Sequence, residues 1–211
     1  MWVWQWGDFT NDLITIWVII DPISAVPVFI ALTSAFDQRT RRRVAFVASL
    51  VSLVVLFFFI CLGQIIITAM GVSLRVFEVA GGLILFLFAV YMVIGDHRRA
   101  PDIDAAPETP LQLAIYPLAI PNLAGPGAML TVILRTDNSR INLLEQIHTT
   151  AAVAAVLAVG FLLMLAATPI TRVLGVGGAN VIKRIMGMII AAYAAHLVFS
   201  GIADWLHMEP L

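Results

Sequence analysis

Charge is scarce in this chain. Of its 211 residues, only 12% are Asp, Glu, Lys or Arg and 61% are hydrophobic, against about 25% charged in soluble domains. With a mean hydropathy of +1.00, the chain has almost no room for a soluble domain and reads as a polytopic membrane protein. Cysteine is nearly absent. The single Cys61 excludes an internal disulfide and, inside an apolar run, reads as a small core residue. There is no basic segment ahead of the first apolar run, which Asp21 interrupts, so no signal peptide is expected. No basic patch suits nucleic acid, because the arginines lie in scattered short loops. No metal-ligand spacing occurs, and Asp21 and His196 are the only deep ionisable candidates. An intramembrane enzyme would need a nucleophile–base or metal constellation, so neither an enzyme nor a resident cofactor is expected.

What is present is a short pattern that occurs twice. Ile20-Asp21-Pro22-Ile23-Ser24-Ala25-Val26-Pro27 and the stretch Ala119-Ile120-Pro121-Asn122-Leu123-Ala124-Gly125-Pro126-Gly127 superpose with a shift of 99. Pro22 then falls on Pro121, Ala25 on Ala124 and Pro27 on Pro126. Proline removes a backbone N–H and clashes with the preceding turn, so a helix breaks or kinks there. In lipid, a break survives only where the freed groups find partners in protein or line a cavity.

Six spans follow from hydropathy: 13–36, broken about midway; 44–68, ending in a Gly71 turn; 76–94; 111–134, broken between Pro121 and Pro126; 149–170; and 185–203, entered through a Gly175, Gly177, Gly178 turn. Tryptophans 2, 4, 6 and 205 suit the headgroup region. The polar stretch 96–110, with four acids and three prolines, reads as a cytoplasmic linker between a first repeat (1–95) and a second (111–211). Nine of the twelve Lys and Arg residues lie in alternate loops (Arg39, Arg41, Arg42, Arg43, Arg98, Arg99, Arg172, Lys183, Arg184) and three in the others (Arg75, Arg135, Arg140). The positive-inside rule then puts both termini outside, in the periplasm. In the third spans, a shift of 106 sets Gly81 on Gly187 and Gly95 on Gly201. Because each half has three spans, the second half must run upside down. The expected fold is all-α: six transmembrane helices as two inverted three-helix repeats, the first helix of each broken at mid-membrane, as in several secondary transporters.

A broken helix offers unpaired carbonyls at one end and unpaired N–H groups at the other, which attract cations and anions respectively. Two breaks of opposite orientation suit a small zwitterion, an amino acid. Asp21 is the sharpest candidate, since an intramembrane acid marks a substrate or ion path. It can neutralise an ammonium group, coordinate Na⁺ or carry a proton; capping the downstream half-helix is the structural alternative. Ser24 and Pro22 accompany it. On the second break, Pro121, Asn122, Gly125, Pro126, Gly127 and Ala128 complete the expected site, with N–H groups around Gly125, Gly127 and Ala128 receiving the carboxylate. The alternative for these glycines is close helix packing. His196 reads either as a proton relay or as a histidine bonded to a carbonyl.

Asp21-Pro22, Ala119-Ile120-Pro121, Ala124-Gly125-Pro126-Gly127, Ala80-Gly81-Gly82, Gly177-Gly178, Arg184-Ile185-Met186-Gly187 and Gly201 together resemble the MarC family of bacterial integral membrane proteins, over essentially the whole chain. The resemblance implies an inner-membrane transporter. It also implies Asp or Asn at the first-span acid position and, for one branch, small neutral amino acids such as glycine and alanine as substrates. The leading expectation is therefore a secondary transporter of such zwitterions working by alternating access, with H⁺ or Na⁺ coupling and homo-oligomerisation left open. An exporter of another small metabolite and a non-transporting membrane scaffold are the competing readings.

Overall fold

The computed structural model describes residues 6–94, 109–136 and 143–206. The helices are α1 (Trp6–Ile20), α2 (Ala25–Thr33), α3 (Gln38–Ala69), α4 (Leu74–Ile94), α5 (Pro110–Leu113), α6 (Pro126–Arg135), α7 (Leu143–Leu165) and α8 (Ala167–Trp205). Most of the expected linker, 95–108, together with Trp2, Trp4, Arg98, Arg99 and Arg140, lies outside the described residues. Among the described residues, five stretches are long and apolar enough to cross a membrane: Thr10–Thr33, Gln38–Ala69, Leu74–Ile94, Gln146–Leu165 and Arg184–Ala203. The pair Pro110–Leu123 and Pro126–Arg135, bent by 55°, makes a sixth if it is counted as one broken span. The chain is a multi-pass, all-helical membrane protein.

Its outer surface is apolar. On α3, Ala45, Ala48, Ser52, Leu56 and Ile60 are buried, while Phe46, Leu50, Val54, Phe57 and Ile65 face outward. Both sets recur at the three-to-four-residue helical spacing. The small Ala45, Ala48 and Ser52 allow close helix approach at one end of the buried stripe, and the outward side chains suit a lipid-facing surface.

The first break has a local cause. Asp21 precedes Pro22, whose ring disfavours the helical region for its neighbour. Its φ is +47°, the left-handed region that Asp tolerates better than most residues. The Asp21 N–H still donates to the Trp17 carbonyl at 3.0 Å, and the Ser24 N–H donates to the Asp21 carbonyl at 3.1 Å, closing one turn. Ser24 is the N-cap residue of α2. Pro27 lies inside the first turn of α2 rather than at a second break, since a helix start has no intrahelical partner for that N–H. The second break is wider than the Pro121–Pro126 interval expected. Tyr116 and Ile120 have extended backbone (ψ 126° and 123°), and the peptide bonds before Pro117 and Pro121 are cis. The segment Ala114–Leu123, which follows the four-residue α5, is therefore kinked at Tyr116 and Ile120.

One expected turn is absent. α8 runs without interruption through Gly175, Gly177 and Gly178. None of these glycines adopts a positive φ, and a glycine costs a helix only about 1 kcal/mol relative to alanine. The chain passes from α7 to α8 at Ala166 instead.

At the start of α3, Asp37 is the N-cap and its carboxylate accepts the Arg39 N–H at 3.1 Å. The Thr40 hydroxyl, then the Arg39 N–H, hold its carboxyl below the usual range. A lowered value means that the cap stabilises above the unfolded-state pKa and is lost as pH falls through the folded one. Asp37→Ala is expected to lower the Tm at neutral pH, and the difference from wild type should vanish in acid. A deficit that persists in acid would mean that the carboxylate is not the stabilising group.

α4 and α8 pack antiparallel along glycines. A Cβ on Gly82 would meet Val198 Cγ2 at 2.9 Å, the Ala194 carbonyl at 3.1 Å and Leu197 Cβ at 3.2 Å. One on Gly187 would meet Val93 Cγ2 and Met92 Cβ at 2.9 Å and the Ala89 carbonyl at 3.1 Å. These two environments superpose atom for atom with a shift of 105, so the contacts pair Gly82, not Gly81, with Gly187. Other contacts exchange in the same way. α1 lies on α7 and the kinked segment on α3; α2 touches α8 and α6 touches α4.

Candidate functional site

The two breaks meet at a cavity of about 200 Å³. Ile19 and Ile20 at the end of α1, Asp21 and Ser24 of the first break, and Val28 of α2 form one wall. Phe88, Tyr91 and Met92 of α4 form a second, and Pro117, Pro121 and Asn122 of the kinked segment a third. Sites for drug-sized ligands run to roughly 300–1,000 Å³, so this one suits a solute of a few heavy atoms.

Asp21 is 5% exposed and Ser24 is 8% exposed. The Ser24 hydroxyl donates to Asp21 Oδ2, and the Ser24 N–H lies 3.4 Å from Oδ1. The carboxylate thus bonds the N-cap residue of α2, and Asp21 also lines the cavity. Across the cavity, Asn122 Nδ2 is buried with no hydrogen-bond partner among the described residues. A buried donor left unpaired costs about 1–3 kcal/mol. The cavity thus brings the Asp21 carboxylate and the Asn122 side chain together among apolar walls.

The remaining expected residues stand apart from that cavity. Pro22, Gly125, Pro126, Gly127 and Ala128 do not line it. Gly127 is a packing glycine: a Cβ there would lie 2.3 Å from Leu85 Cδ1 and 3.4 Å from Ile19 Cγ2. Gly127→Val would consequently disturb helix packing and is no clean probe of ligand recognition. Pro22 packs on Gly160, whose Cβ would lie 3.2 Å from Pro22 Cβ. His196 is exposed on the outward face of α8, away from the cavity.

Two features were missed in the sequence. Pro117 and the α4 side chains Phe88, Tyr91 and Met92 line the cavity; the third proline in ten residues was the available signal for Pro117. The second feature is an ion pair, Arg135 Nη1 to Asp12 Oδ1 at 2.6 Å, with Arg135 Nη2 donating to Thr15 Oγ1 at 3.0 Å. Asp12 lies nine residues before the first break and Arg135 ten after Gly125, or about 13–15 Å along their helices at 1.5 Å per residue. The cavity lies toward the end of the molecule that carries the Arg39–Arg43 loop, and the pair joins α1 to α6 at the opposite end.

Comparison with known proteins agrees with the architecture. The family described as MarC family integral membrane protein matches residues 6–206. A UPF0056 membrane protein of Archaeoglobus fulgidus is 32% identical over 200 residues, covering 94% of this chain and 93% of its own. One of Aquifex aeolicus is 32% identical over 215 residues, covering 97% of each. The UPF0056 inner membrane protein YhgN of Escherichia coli is 28% identical over 189 residues, covering 90% of this chain and 93% of its own. No solved structure matches the chain.

Proposed function

The chain belongs to the MarC family of integral membrane proteins, and from that membership we propose that it is a secondary transporter of small neutral amino acids, moving glycine- or alanine-like zwitterions by alternating access. One observation carries the reading: Asn122, whose Nδ2 has no partner among the described residues, and the buried Asp21 line the same cavity of about 200 Å³. An ammonium group meets Asp21 and a carboxylate meets Asn122. The volume favours the smallest side chains. Two inverted repeats belong to this reading; the reciprocal packing of Gly82 and Gly187 supports them. The cavity lies toward the cytoplasm, both termini lie outside, and the Asp12–Arg135 pair closes the periplasmic side. The lysine and arginine distribution supports that orientation, and the printed name of the Escherichia coli relative supports an inner-membrane location. Asp21 is the candidate for H⁺ or Na⁺ coupling.

A thermal-shift screen of the detergent-purified protein tests the reading. Saturating glycine or alanine, at about 100 times Kd, stabilises by about 2.7 kcal/mol, or roughly 5–10 °C for a chain of this size. Leucine should give no shift, and Asn122→Leu should abolish the effect of glycine while remaining folded. Absence of a shift with every small neutral amino acid would favour an exporter of another metabolite or a scaffold.

A further inference from the structure

A second cavity, of about 310 Å³, lies between α2, the first turn of α3 and the junction of α7 with α8. We propose that it binds the phosphodiester head of an anionic phospholipid of the cytoplasmic leaflet. Its lining is Phe29, Gln38, Arg41, Arg42, Met164, Leu165 and Thr168, two cations and two neutral polar groups over an apolar floor. The Arg41 guanidinium carbon stands 5.6 Å from the centre of the Phe29 ring. That contact occupies the face of the guanidinium and leaves its edge, the planar donor fork that matches phosphate oxygens. Among the described residues neither Arg41 nor Arg42 forms an ion pair with a carboxylate; the Asp12–Arg135 pair lies at the other end of the molecule. Asp37, the nearest acid in sequence, is engaged by the Arg39 N–H and by Thr40.

Depth selects a lipid over a soluble phosphate. Three membrane-crossing stretches end or begin at this cavity: Thr10–Thr33, Gln38–Ala69 and Gln146–Leu165. That is headgroup level. Leu165 is exposed, over the buried Met164, and offers apolar surface for the glycerol and acyl carbons, which inorganic phosphate has no use for. The reading does not depend on what the chain transports.

The test uses the full chain purified in detergent. Phosphatidylglycerol is expected to raise the Tm, while phosphatidylcholine and inorganic phosphate at equal concentration are not. Each basic side chain near an anionic surface contributes roughly a fivefold change in affinity, so Arg41→Gln with Arg42→Gln should weaken phosphatidylglycerol binding on the order of 25-fold. Arg184→Gln, a cation on the same side but outside the cavity, should bind as wild type. Arg42 is exposed, so Arg42→Gln alone carries the test, at about fivefold, should the double variant not fold. The proposal is overturned by the absence of a phosphatidylglycerol shift, by an equal shift with phosphatidylcholine, or by binding unchanged in the arginine variants. A shift reproduced by inorganic phosphate would overturn the lipid assignment in favour of a soluble anion.

Discussion

Asp21→Asn is expected to leave the protein folded and to cut glycine or alanine uptake about 5- to 30-fold. The backbone argument comes first. Asp21 sits at φ +47°, and Asn, like Asp, visits the left-handed region, whereas other side chains pay roughly 1–2 kcal/mol there. The amide oxygen of Asn can still accept the Ser24 N–H, while its NH2 can donate to the Ser24 hydroxyl oxygen in place of the bond that Asp21 Oδ2 accepts. What the variant removes is charge. A hydrogen bond to a charged group contributes about 1.5–3 kcal/mol and a neutral one about 0.5–1.5; the difference, about 1–2 kcal/mol, is the stated factor. Asp21→Ala loses the partner of a buried charge altogether, which costs about 2–5 kcal/mol in binding besides the backbone strain. It should abolish measurable uptake and lower the Tm. If Asp21 also carries the coupling proton, Asp21→Asn flattens the pH dependence of uptake. Uptake by Asp21→Asn at the wild-type rate, with the wild-type pH profile, would remove Asp21 from the site.

The helical class, the span count and the first break were legible because each has a local cause. Hydropathy marks the spans, and Asp21-Pro22 stops α1 where a pre-proline residue must leave the helical region. Asn122 was legible as the polar residue of the second break. Its unpaired amide was not, because only the fold shows which acceptors are missing around Nδ2. Gly127 illustrates the opposite limit. Glycine serves close approach of a ligand and close approach of a helix equally well, and only the fold shows the second use, since a Cβ on Gly127 would stand 2.3 Å from Leu85 Cδ1. The Gly175–Gly178 stretch looked like a turn by composition, yet nothing there requires a positive φ and the helix continues. The Asp12–Arg135 pair had no signal at all: its partners are 123 residues apart, and Arg135 read as one more loop cation.

That pair makes the second large effect. Under the proposed alternating access and orientation, the periplasmic side must open, and α1 and α6 cannot separate while Arg135 holds both Asp12 and Thr15. Exposed ion pairs contribute about 0.2–1 kcal/mol. Here the side chains are only 28% and 15% exposed and the guanidinium has a second acceptor, which argues for about 1–2 kcal/mol. Removal of the pair should therefore shift the population toward the periplasm-open state about 5- to 30-fold. Ile16, 2% exposed, lies on α1 between Asp12 and the break and reports the change when replaced by cysteine in a Cys61→Ser background. Labelling of Ile16→Cys by a membrane-impermeant thiol reagent is expected to accelerate by that factor in Arg135→Gln and to return toward the parent rate when Asp12→Arg is combined with Arg135→Asp. A rate unaffected by Arg135→Gln would show that the pair is a packing contact and that the periplasmic side is closed by the apolar contacts of Gly127 with Leu85 and of Gly81 with Leu130. Recovery of the parent rate in the exchanged pair separates a lost latch from general loosening, because a loosened bundle would label fast whichever way the charges face.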